Sequence, residues 1–154
     1  MDDPKKPPFY YPPVSFHFKV TFKDVDQKDL DIRFQSVSGL EAQLETETIK
    51  EGGENRFTHQ VPTRRKYSDL VLKRGVLFPD QSDITRWCQQ AFEHEHVEPI
   101  NLDIWLLNSN HDAILQWKVI NAWPKSWKFN ELNAEKGEIF LETLTLAYNR
   151  FEVK

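Results

Sequence analysis

Between residues 16 and 22, apolar Phe16, Phe18, Val20 and Phe22 take turns with His17, Lys19 and Thr21. Successive side chains of a strand point to opposite faces, so this period of two describes a sheet with one face buried and one wet. The pattern recurs along the chain. Leu40, Ala42 and Leu44 point one way while Glu41, Gln43, Glu45 and Glu47 point the other, which makes the second face strongly acidic. Leu70 with Leu72, then Leu102, Ile104 and Leu106, then Leu115, Trp117 and Val119 predict further strands. The polar run 24–31 reads as a turn before Ile32 and Phe34 restart the alternation, and Gly39 marks a bend or bulge. A last strand is expected over 138–148. There Ile139 and Leu141 share one parity and Leu144, Leu146 and Tyr148 the other, so a bulge near Glu142, or burial on both faces, is expected.

One segment has a different period. From Ile84, the apolar positions Trp87, Cys88, Ala91 and Phe92 fall on one stripe of a helix, and Ser82 or Asp83 can cap its first turn. The sum is a mainly β protein, a small β-barrel or sandwich of about seven or eight strands with one short flanking helix. With 154 residues the chain fits one domain, large enough to bury a core without metal or disulfide staples. The domain is expected at 14–154. Ahead of it, residues 1–13 hold five of the nine prolines and read as an extended arm. A long loop or loose hairpin is expected at about 50–66, where Gly52, Gly53 and Pro62 interrupt a stretch without apolar periodicity.

Motifs for chemistry are scarce. The five glycines form no phosphate-cradling loop. Cys88 sits in the helix stripe, which favours a buried, inert thiol over a nucleophile. His94 and His96 are two residues apart, a spacing that diverges on a helix, and no third ligand neighbours them. Glu41, Glu45 and Glu47 suit a solvated or subunit-facing surface better than acid–base work. The net charge of −4 argues against nucleic acid as a main partner. No apolar run approaches the ~20 residues of a membrane-spanning helix. The N-terminus lacks the apolar core of a secretory signal, so synthesis and assembly in the cytoplasm are expected. The basic cluster Arg64, Arg65 and Lys66, with Lys73 and Arg74 nearby, reads as a solvated surface or as a complement to the acidic strand of another copy; a nucleic-acid contact is the least favoured reading, because interleaved aromatics and overall basicity are lacking. Trp123 and Trp127 are expected in the core. Trp105 shares parity with Asp103 and is a candidate for contact with a neighbouring subunit.

Nine short strings, in order, carry a resemblance. They run from Phe18–Phe22 and Phe34–Leu40 through Lys50–Asn55, Pro62–Tyr67, Leu72–Gly75 and Leu106–Asn108 to Ala122–Pro124 with Trp127, Leu132–Ala134 and Glu142–Tyr148. Together, over about 13–151, they resemble the inner-tube proteins of contractile injection systems, the phage tail tube family related to the haemolysin-coregulated protein of type VI secretion. The resemblance implies a β-barrel with a flanking helix, six copies to a ring, and rings stacked into a hollow tube within a contractile sheath. It also implies a tube that is driven through a target envelope and carries cargo in its lumen. Baseplate and terminator proteins are the further implied partners. No catalysis, metal or cofactor is implied. The candidate subunit-interface residues are Glu41, Glu45, Glu47, Glu51, Asn55, Arg56, Arg64, Arg65, Lys66, Tyr67, Lys73, Arg74 and Trp105. The alternatives are a tube-initiating or baseplate adaptor of the same fold, or a monomeric secreted effector or ligand-binding barrel with a deep pocket.

Overall fold

The computed structural model describes residues 17–23, 33–50, 52–53, 58–78, 80–137 and 139–154. The proline-rich arm and the turn at 24–31 lie outside the described residues. In chain order the elements are β1 His17–Phe22, β2 Arg33–Phe34, β3 Ser36–Ser38, β4 Ala42–Lys50, β5 Thr58–Tyr67, β6 Leu70–Gly75, α1 Asp83–Glu93, β7 Ile100–Leu107, β8 Ala113–Phe129, β9 Leu141–Ala147 and β10 Arg150–Val153. The main sheet is ordered β2-β1-β7-β8-β9-β6-β3, with β10 paired to β8, and all its pairings are antiparallel. Only Gln35 separates β2 from β3, so the segment 33–38 pairs with β1 at one edge and with β6 at the other. It draws the two edges toward each other without closing a continuous barrel.

β8 serves as the spine. Its first half lies between β7 and β10, and its second half pairs with β9. Two irregularities let one strand do both. The register against β7 shifts between Ile100 and Leu102, beside Asn121 with its positive φ of 53°. The register against β9 shifts between Pro124 and Ser126. Proline lacks the N–H a ladder needs, so a bulge is where a mid-strand proline is tolerated.

The period-two residues meet in one core. Val20 and Phe22 of β1, Leu70 and Leu72 of β6, Leu102 and Ile104 of β7, Val119 and Ala122 of β8, and Leu144 and Leu146 of β9 are all buried. Each large apolar side chain of this set contributes ~1.5–3 kcal/mol by leaving water. α1 adds Ile84, Trp87 and Cys88. The Trp87 ring meets Phe22 edge-on at 5.7 Å, and its indole N–H donates to the Glu98 carbonyl at 2.9 Å. Ser82 caps the helix as expected, its hydroxyl accepting from the Thr85 N–H at 3.0 Å. The stripe fades at the last turn, where Phe92 is exposed and stacks on Trp127 at 6.4 Å.

Arg74 departs from its expected place among surface cations. It faces inward and is only 4% exposed, as is Glu142 opposite it on β9. The guanidinium Nε donates to the Glu142 carboxylate, while Nη2 donates to the hydroxyls of Ser82 at 2.8 Å and Thr85 at 3.2 Å. Glu142 also accepts from the Trp127 indole N–H at 3.0 Å, and the Phe34 ring lies 5.3 Å from the guanidinium carbon. One charged fork therefore fastens the helix N-terminus to two strands. It also explains the apparent change of parity. β9 alternates regularly, burying Glu142, Leu144 and Leu146, while Ile139 lies outside the strand and is exposed. The expected bulge near Glu142 is replaced by a carboxylate in a core slot; the irregularity belongs to β8. Cys88 lies nearby, and burial first, then the Glu142 charge, push its thiol up to about 12 against the opposing pull of Arg74. The thiol stays protonated and unreactive.

Removing one partner of a buried ion pair strands the other charge. Arg74→Met is expected to cost ~3–5 kcal/mol in urea unfolding, and the double variant Arg74→Met/Glu142→Leu to recover most of that loss. A double variant as damaged as the single one would show that the guanidinium bonds to Ser82 and Thr85 matter more than the charge pair.

Candidate subunit interface

Among the described residues, β4 and β5 pair only with each other and form a separate two-stranded ribbon. Within the expected loop or loose hairpin at about 50–66, residues 58–66 belong to β5. Of the nine residues of β4 and ten of β5, all are exposed but Tyr67. No core formed by the described residues lies beneath them. An isolated hairpin is marginally stable in water at best, so this ribbon depends on its root and on whatever covers it.

The root is built in detail. Gly39 has φ +88°, and a Cβ there would lie 1.9 Å from the Asp69 carbonyl oxygen, so only glycine lets the two chain segments pass. Tyr67 packs against Tyr148 at 5.9 Å and Phe151 at 5.3 Å between ring centroids. The Tyr148 hydroxyl donates to the Gly39 carbonyl at 3.4 Å, Ser68 donates to the Glu41 carboxylate at 3.0 Å, and Lys125 pairs with Asp69 at 2.7 Å. Phe151 belongs to β10, a four-residue strand that the alternation did not disclose.

Residues directly opposite in a ladder share a face. One face of the ribbon carries Leu44 with Arg65, Thr46 with Pro62, Thr48 with Gln60 and Lys50 with Thr58, and holds no carboxylate. Gln43 with Lys66, Glu47 with Val61 and Ile49 with His59 lie on the other. A register shift between Leu44 and Thr46 gives β5 an extra residue, and the Thr63 hydroxyl donates to the Glu45 carbonyl across it at 3.1 Å. The acidic strand and the basic run are thus neighbours within one chain. Leu44, Ile49 and Val61 are 61%, 49% and 40% exposed.

The remaining candidates scatter. Glu51, Asn55 and Arg56 fall outside the described residues. Lys73 is exposed on β6, with Arg74 beside it in the core. Trp105 is half-buried on the outer face of β7, where its indole N–H donates to the Thr21 hydroxyl at 3.1 Å. Asp103 next to it is 9% exposed, and its Oδ1 has no hydrogen-bond partner among the described residues. Of the two core tryptophans expected, Trp127 packs on the core and Trp123 is 38% exposed. Among the described residues no group of three or more His, Cys, Asp or Glu is placed to hold a metal.

The family model of the T4-like virus tail tube protein gp19 matches residues 14–152. A chain in the cryo-EM structure of the anti-feeding prophage baseplate is 29% identical, with a TM-score of 0.82 over 95% of this chain and 97% of that one. A chain of the sheath-tube complex of the extracellular contractile injection system PVC is 26% identical, with a TM-score of 0.76 over 94% and 92%. Hcp1 from Flavobacterium johnsoniae shares the fold at 14% identity, with a TM-score of 0.55 over 90% and 94%. No curated protein matches by sequence.

Burial first, then the nearby Tyr67, Asp69 and Glu41, push the Tyr148 phenol up to about 12 from its usual 10. The folded chain thus holds the neutral phenol longer than the unfolded chain does, so this stabilisation is complete below pH 10 and is lost as pH rises toward 12. The stability difference between wild type and Tyr148→Phe is expected to be flat below pH 9 and to shrink between pH 10 and 12. A difference that stays constant to pH 12 would contradict this root geometry.

Proposed function

The chain belongs to the T4-like virus tail tube protein gp19 family, and from that premise we propose that it is the repeating subunit of the hollow inner tube of a contractile, phage-tail-like injection system. A structural, tube-like role agrees with the family and with neighbours from contractile-particle assemblies. The finer reading is that six copies close each ring and that rings stack. The sheath lies outside, baseplate and terminator proteins sit at the two ends, and the lumen carries cargo toward an envelope that the tube pierces. No catalytic, metal or cofactor chemistry enters this reading. Assembly takes place in the cytoplasm, and the particle is released or membrane-anchored.

One observation carries it: a long ribbon with no core of its own, in a chain whose family builds tail tubes. An element like this gains stability when another copy covers it. Glu45, Glu47, Arg64, Arg65 and Lys66 lie on it, and the connection between its strands holds Glu51, Asn55 and Arg56. Exposed ion pairs contribute only ~0–1 kcal/mol each, so these charges set register and partner choice while apolar contact supplies affinity. Closure into a ring then raises the effective concentration for every later contact.

The likeness to the anti-feeding prophage baseplate chain favours one second reading, an adaptor of the same fold at the tube's base. Copies per particle separate the two: many rings for the tube, one for the adaptor. The space bounded by Arg74, Cys88, Trp127 and Glu142 measures only about 10 Å³, too small for a ligand, so a ligand-binding reading would have to use the open groove of about 330 Å³ beside Leu132 and Phe140.

Reversing Arg64→Glu and Arg65→Glu together is expected to abolish or sharply weaken ring stacking in electron micrographs. The unfolding free energy should move by no more than ~0.5 kcal/mol, as for other surface substitutions. Unchanged assembly alongside a large drop in stability would contradict the proposal.

A further inference from the structure

One sheet face takes no part in the core or the ribbon: the outer side of β1, β7, the first half of β8, and β10. On the inner side of these strands Val20, Ile104 and Val119 are fully buried. The ladders set the outer side in rows. Lys19 lies opposite Trp105, which lies opposite Gln116. Gln116 in turn exchanges both backbone bonds with Lys154, at 2.8 and 3.2 Å. The next row is Thr21, Asp103, Lys118 and Glu152. Four strands at their usual spacing make a face about 14 Å across.

Charge on this face runs against that of the chain. Five cations, Lys19, Lys23, Lys118, Arg150 and Lys154, meet two carboxylates there, although the net charge of the whole is −4. Both carboxylates are already engaged, Asp103 by Lys23 at 3.8 Å and Glu152 by Arg150 at 3.1 Å. Lys19, Lys118 and Lys154 have no ion-pair partner among the described residues. Trp105 has Lys19 beside it and Lys118 on the diagonal. Its indole N–H donates to the Thr21 hydroxyl at 3.1 Å, which fixes the ring before any partner arrives. A preset tryptophan loses little freedom on binding, and such residues anchor interfaces.

Resting on the tube reading above, we propose that this face holds cargo, and that what it takes is an acidic stretch of polypeptide. Uncompensated lysines select carboxylates and reject other cations. Beyond Trp105 the two rows hold no apolar side chain, so each contact is weak, unlike the apolar centre of a permanent interface. A passenger that must leave needs weak holds, and copies repeated along a tube add them up. Nucleic acid is the poorer fit. Successive bases need successive aromatic rings, and the negative charge of the chain repels a long phosphate backbone.

A fluorescein-labelled oligoglutamate peptide tests this on the full chain, first unassembled and then during assembly with sheath and baseplate. Saturable binding to the unassembled chain is expected, weakened about 10-fold or more by Lys19→Glu/Lys118→Glu. Lys73→Glu/Lys128→Glu, which reverses as many charges at exposed positions of β6 and β8, should change it by less than about 2-fold. Should the first variant fail to fold, Lys118→Gln is read in its place, with a smaller loss of the same sign. Tubes are expected from both double variants, and wild-type tubes should retain peptide that the Lys19→Glu/Lys118→Glu tubes lack. No saturable binding, an equal loss in the two variants, or tighter binding of single-stranded DNA of the same length would overturn the proposal. So would wild-type tubes without peptide. A folded Lys19→Glu/Lys118→Glu chain that no longer forms tubes or takes sheath would also overturn it, by assigning the face to another copy or to the sheath. Wild-type chains that bind the peptide but form no tubes with those partners would overturn the tube reading, and with it the cargo, while the acidic-peptide surface would stand.

Discussion

Backbone pairing without a core beneath it is the constraint around which this molecule is arranged. β4 and β5 satisfy each other's hydrogen bonds, yet their side chains face water on both sides. The ladder alone offsets little of the entropy of holding nineteen residues extended, nine in one strand and ten in the other. Much of the rest of the fold can be understood as what holds such an element upright: a glycine that permits the crossing, a tyrosine pair with Phe151 that grips its base, and a rigid sheet behind them.

That rigidity rests on a different interaction. The Arg74 guanidinium spends its donors on Glu142, Ser82 and Thr85, so β6, β9 and the helix cap share one buried charge. A buried ion pair is no sure source of net stability, but its fixed geometry defines how the helix sits on the sheet. Because β6 continues the chain from the ribbon root, the same fork ties the base of the ribbon to the helix.

What could be read from the residues follows burial. Strands with one face in the core announced themselves through Val20 and Phe22, Leu70 and Leu72, and Leu102 and Ile104, and the helix through Ile84, Trp87 and Cys88. β5 did not, because THQVPTRRKY buries no face and has no alternation to read. β10 is too short for a period, and Phe151 acquires meaning only beside Tyr67. Arg74 was misplaced because charged residues are presumed to face water, and the parity change at Glu142 was read as a bulge or as burial on both faces; only the fold shows the two side chains paired in the core. The ribbon charges were recognised as a set, although their adjacency in one chain was not. The exposure of Phe78, Leu132 and Ile139 was missed: Phe78 follows β6, Leu132 and Ile139 share the β8–β9 connection, and neither stretch has a periodic spacing to read.

The central claim is that the ribbon is completed by another copy of the chain. Amide hydrogen exchange tests it most directly, comparing residues 42–50 and 58–67 in the isolated chain and in assembled tubes. Those amides are expected to exchange near the unprotected rate in the isolated chain. They should slow by about 100-fold or more in tubes, as unstable local structure does when it is docked, while β6, β7 and β9 are protected in both. Ribbon amides already protected in the lone chain, or still unprotected within tubes, would contradict it.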